Sequence, residues 1–125
     1  MQIVNVRLYI AWVLYLSLNL SFGQINDINT LKEDYAKTSR VEDKIEILNT
    51  ISRAFIKKDI DSALYYNNKA VFYAQENKLS TTLADVLKLK SLIYLKDKQY
   101  KKSNTAILKA ILIFNEQKNL DKLGY

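Results

Sequence analysis

From residue 42 onward the apolar residues return at steps of three and four, the spacing that gathers them on one face of an α-helix. Ile45, Leu48, Ser52 and Phe55 form one stripe, with Ile47, Ile51 and Ala54 beside it. Ala63, Tyr66, Ala70, Tyr73 and Ala74 form the next, followed by Leu83, Val86, Leu87, Ser91 and Tyr94, and then by Ser103, Ile107, Ala110 and Phe114. The stripes predict helices over residues 42–57, 60–77, 80–96 and 100–116, a leading helix over 27–38 and another helix starting near 119. Connections of two to five residues force neighbouring helices to run antiparallel. With two glycines and no proline in 125 residues, the punctuation of β-rich folds is missing. The expected fold class is all-α.

The first residues follow a different pattern. Arg7 and the amino terminus carry the only positive charge before an apolar run from Leu8 to Leu16, which continues through Ser17, Leu18, Asn19 and Leu20. That run matches the apolar region of a signal peptide and falls short of the roughly 20 residues that span a bilayer. Small Ser21 and Gly23 stand two apart, as a signal peptidase requires, so cleavage after Gly23 would leave Gln24 as the mature amino terminus. Residues 1–23 therefore read as an export signal, and the protein as periplasmic or secreted. The alternative is an uncleaved signal anchor over residues 8–22, since Tyr9, Trp12 and Tyr15 suit a membrane interface. A buried amphipathic helix is the third reading, disfavoured because the stretch has no charged face.

The rest of the chain matches itself at a shift of forty residues. Ala63 falls over Ser103, Lys69-Ala70-Val71 over Lys109-Ala110-Ile111, and Glu76-Asn77-Lys78-Leu79 over Glu116-Gln117-Lys118-Asn119. Each copy is a helical hairpin with apolar residues on more than one face. Stacking one hairpin on the next is what buries them.

This pattern resembles the tetratricopeptide repeat in a bacterial form of longer period. The resemblance implies two antiparallel helices per repeat, with small residues in the second helix where it approaches the first. Ala63 and Ala70 match those places in one copy, Ser103 and Ala110 in the other. Ser91 followed by Tyr94 matches the first helix of the second copy, while Ile51 and Ala54 match less well. Where the family often turns on glycine this chain has Lys58 and Lys98, at a cost of about 1 kcal/mol if the turn is left-handed. Gln75 and Asn115 replace the closing proline. The implied organisation is a signal at 1–23, a leading helix at 24–41, repeats at 42–79 and 80–118, and the start of a third repeat at 119–125. That makes the chain an amino-terminal piece of a longer α-solenoid.

Composition narrows the chemistry. The chain has no cysteine and no histidine, which removes disulfides, thiol nucleophiles, the commonest general base and the commonest zinc ligands. No phosphate-binding glycine loop, acidic metal cluster or nucleophile–base pair is present. No residue reads as catalytic, as a metal ligand or as a cofactor contact, and the chain reads as a non-enzyme. Formal net charge is +6, from 19 basic and 13 acidic residues, with lysines scattered as on a solvated helical surface. Tyr65, Tyr66, Tyr73, Tyr94 and Tyr100 are expected mostly on helix–helix seams, not as a base-stacking platform. Nucleic acid is not expected as a partner.

By resemblance to the family, the first helix of each hairpin lines a concave groove for a peptide or partner helix. The groove would take Ile45, Leu48, Ser52, Phe55 and Ile56 from the first copy. Asp85, Lys88, Leu92, Leu95 and Lys96 would come from the second. Lys88 and Lys96 suit an acidic partner or a terminal carboxylate, although packing between helices is the more expected role of Leu48, Phe55, Leu92 and Leu95, and plain solvation that of the two lysines. The implied function is protein–protein interaction in an exported bacterial protein. The alternative is the sensory amino-terminal region of a membrane signalling protein, such as a sensor histidine kinase or a DNA-binding regulator.

Overall fold

The computed structural model describes the backbone of residues 2–124 and the side chains of residues 5–15 and 28–124. Over this span the protein is all-α. Its five helices are α1 (Gln2–Lys37), α2 (Val41–Phe55), α3 (Ile60–Glu76), α4 (Ser80–Lys96) and α5 (Tyr100–Leu123). Successive helices run mostly antiparallel. The closest packing is within two pairs, α4 with α5 and α2 with α3; α3 joins the pairs through α4, and α1 leans on α2.

The small residues explain the close pairing. Ala63, Ala70 and Ala110 are fully buried, and Ser103 nearly so. The Ser52 hydroxyl on α2 donates to the Ala63 carbonyl on α3 at 2.8 Å. At the matching place in the second pair, the Ser103 hydroxyl on α5 donates to the Ser91 carbonyl on α4 at 2.8 Å. A side chain can reach the facing backbone this way only where the two helices approach closely and no larger group stands between them. The main core forms above the first crossing, where Ile45 and Leu48 meet Ala70, Ala74 and Val86. Ala63, Leu89 and Ile93 form a second cluster, and Ala84, Leu87 and Ala110 a third.

The turns are reached in two ways. Asp59 caps α3 in extended conformation, accepting from the Asp61 amide at 3.1 Å and from the Ser62 hydroxyl. That satisfies one of the amides a helix start leaves unpaired. The turns after α3 and α4 are instead Schellman motifs. Leu79 N–H donates to Ala74 C=O and Lys78 N–H to Gln75 C=O, while Gln99 N–H and Lys98 N–H repeat the pattern on Tyr94 and Leu95. Such a motif needs a left-handed residue; Lys78 and Lys98 supply it, with φ of 53° and 58°. The expectation for Lys98 holds and that for Lys58 does not. Lys58 lies in a four-residue connection where its amide and that of Asp59 both donate to Phe55 C=O, and no left-handed residue is needed there.

Two helices are longer than expected. The leading helix predicted over 27–38 is the last part of α1, which runs back to Gln2 without interruption. The break predicted between 116 and 119 is absent, and α5 continues to Leu123, ending on left-handed Gly124. The first-copy counterpart does break, because there Leu79 turns in against the Ile45–Leu48 core. Asn119 occupies the matching place in the second copy, and the apolar contact that fixes a Schellman turn is lost.

Every described side chain from 5 to 15 is exposed, including Leu8, Trp12 and Leu14. None belongs to a core cluster. Among the described residues no helix is long and apolar enough to cross a membrane. The cleavage signal at Ser21 and Gly23, and part of the anchor reading over 8–22, lie outside the described side chains.

Candidate partner-binding groove

Helix α2 buries the stripe of Ile45, Leu48, Ile51 and Ser52, which leaves Thr50, Arg53, Ala54 and Lys57 on its other side. The carboxyl-terminal part of α1 and the same face of α4 flank this side. Together they enclose an open hollow of ≈ 580 Å³, with Ile28 and Leu31 from α1 and Leu92 and Lys96 from α4 along its edges. Arg53 and Leu92 also border an adjoining hollow of ≈ 450 Å³ that adds Asp85, Lys88 and Leu89. The two form one groove across α1, α2 and α4.

The groove is apolar at its floor and basic at its rim. Arg53, Lys57, Lys58, Lys88 and Lys96 contribute five cations against one carboxylate, Asp85. Asp85 is already paired, with Lys88 Nζ 3.3 Å from its Oδ1. Both partners are more than half exposed, so the pair contributes well under about 1 kcal/mol to the fold. The other four cations have no carboxylate within ion-pair distance among the described residues.

Half of the expected groove residues line it. Ile56, Asp85, Lys88, Leu92 and Lys96 do. Ile45, Leu48 and Ser52 do not: all three are buried, the first two in the main core and Ser52 on the α3 backbone. Phe55 is half-buried and stacks on Tyr66 with ring centroids 5.8 Å apart, so it also serves packing. Leu95 is exposed but borders neither hollow. Sequence reasoning missed Thr50, Arg53, Lys57 and Lys58, which form the polar stripe next to the apolar one. Polar residues at steps of three and four look like a solvated helix face until α1 is placed beside them. Of the five tyrosines, Tyr66, Tyr73 and Tyr94 are half-buried on seams, while Tyr65 and Tyr100 are exposed.

A second aromatic–lysine arrangement joins α1 to the hairpins. The Tyr35 and Tyr73 hydroxyls are 3.1 Å apart. Lys69 Nζ lies 5.0 Å from the Tyr35 ring centroid and Lys44 Nζ 5.8 Å from it, close enough for cation–π attraction. These contacts hold the end of α1 where it forms the groove's wall.

No family model, no curated protein and no solved structure matches the chain.

Proposed function

We propose that the chain is a protein-interaction module of tetratricopeptide type, in which the α2–α3 and α4–α5 hairpins are two stacked repeats. Its groove takes an acidic segment that also carries apolar side chains. The observation that carries this reading is the groove's charge: five cations around an apolar floor, with the one carboxylate already paired. Supporting it are the forty-residue echo and the burial of small residues at matching places in both hairpins. An acidic partner would gain charge-assisted hydrogen bonds from Arg53 and Lys96 and apolar contact from Leu92 and Ile56. With residues 1–23 acting as an export signal, this activity would lie outside the inner membrane.

Selection of random displayed peptides on the immobilised protein tests the reading. The enriched peptides should combine Asp or Glu with Leu, Ile or Phe, and should lose binding on an Arg53→Glu, Lys96→Glu variant that keeps its helicity. Enrichment without acidic bias, or equal binding to the charge-reversed variant, would sink the proposal.

A further inference from the structure

The opposite side of α4 carries a second basic hollow, independent of the groove. It has a volume of ≈ 430 Å³ between α4 and α5, within the range of small-molecule sites, over a floor that includes buried Leu87 and Ala106. Lys90, Lys101, Lys102 and Lys109 line it, and no acidic residue does. None of the four has a carboxylate within ion-pair distance among the described residues.

Lysines on a solvated surface keep their heads in water, as the exposed Lys101, Lys102 and Lys109 do here. Lys90 is half-buried on α4 and feels the charge of Lys109 on α5, while Lys102 Nζ lies 5.6 Å from the Tyr94 ring centroid at the hollow's edge. Burial first, and then the Lys109 charge, hold the Lys90 ammonium below the ordinary lysine range. Four like charges around one hollow repel one another, and a bound anion of two or more charges would turn that repulsion into attraction.

We infer that the α4–α5 hollow is a binding site for a small ligand carrying two or more phosphate groups, held by Lys90, Lys101, Lys102 and Lys109. The shared chemistry is the clustered phosphate dianion, whether on a soluble compound or on a lipid headgroup.

The test is titration of the ¹⁵N-labelled full chain with inorganic pyrophosphate at low ionic strength, followed by NMR. Saturable shifts concentrated at residues 87–94 and 101–109 are expected. Lys90→Gln combined with Lys109→Gln should weaken binding by about tenfold per lysine, as for a lost hydrogen bond to a charged group. Lys57→Gln with Lys58→Gln, in the other groove, should leave the affinity unchanged. Shifts that never saturate, that spread over all lysines, or that respond equally to both double variants would overturn the site. Co-sedimentation with vesicles containing a phosphoinositide then separates the sources. Sedimentation displaced by pyrophosphate supports the site with a headgroup as ligand; pyrophosphate binding without sedimentation supports it with a soluble one.

Discussion

The Asn67 side chain on α3 donates from Nδ2 to the Val86 carbonyl of α4 at 3.0 Å, and both residues are completely buried. This bond crosses the junction between the two hairpins, where packing is otherwise sparser than within them. Asn67→Asp would place a carboxylate against that carbonyl in the core. The expected loss is about 3 kcal/mol or more in urea denaturation, since a buried unpaired charge is far more costly than a missing hydrogen bond. Asn67→Ala should lose about 2 kcal/mol. Equal stability of the wild type and the Asp variant would show that the junction opens to water.

The two left-handed lysines should be improvable. Lys78→Gly and Lys98→Gly remove the clash of a β-carbon at φ near 55° and should each raise stability by up to about 1 kcal/mol. Lys58→Gly, in a turn without positive φ, should give no gain. Denaturant midpoints of the three single variants decide this.

Close approach of α2 and α3 at Ala63 leaves no room for a larger side chain. Ala63→Leu should cost about 1–3 kcal/mol through overpacking, read as a lower thermal midpoint. An exposed control on the same helix, Asn68→Leu, should stay near wild type.

Tyr35 predicts an alkaline loss of stability. Its phenol is pushed up to about 12 from an ordinary 10.0, chiefly by burial and next by the hydrogen bond to Tyr73. Between those values the unfolded chain releases a proton that the fold retains, so this contribution is complete below pH 10 and falls away as pH rises toward 12. Tyr35→Phe should remove the late phase of the tyrosinate absorbance titration and flatten the stability profile above pH 10.

The export reading predicts a defined product. Expressed from Met1 in a bacterial host, the protein should be recovered outside the inner membrane with Gln24 as its first residue, as intact mass would reveal. Full-length protein retained in the cytoplasm would dismiss the signal.

Much of the local structure is legible without coordinates. Steps of three and four locate α2, α3 and α4 to within two residues, because helical periodicity is a property of adjacent turns. Ala63, Ala70, Ser103 and Ala110 stand out because only small side chains let two backbones come close. Lys98 is legible as a left-handed turn residue only through the resemblance to the repeat, which put Lys58 in the same role.

Other features waited for the tertiary structure. Whether Glu116 to Asn119 breaks or continues depends on a core for the turning residue to enter; Leu79 has one and Asn119 does not. Lys78 and not Lys58 is left-handed because the second connection closes by a Schellman motif and the first runs on to the Asp59 cap. The groove depended on packing most of all. Ile45, Leu48 and Ser52 share one stripe, and Thr50, Arg53 and Lys57 the next. Periodicity separates those stripes, but which one is exposed follows from where α1, α3 and α4 settle around α2, a balance of contacts between residues distant along the chain.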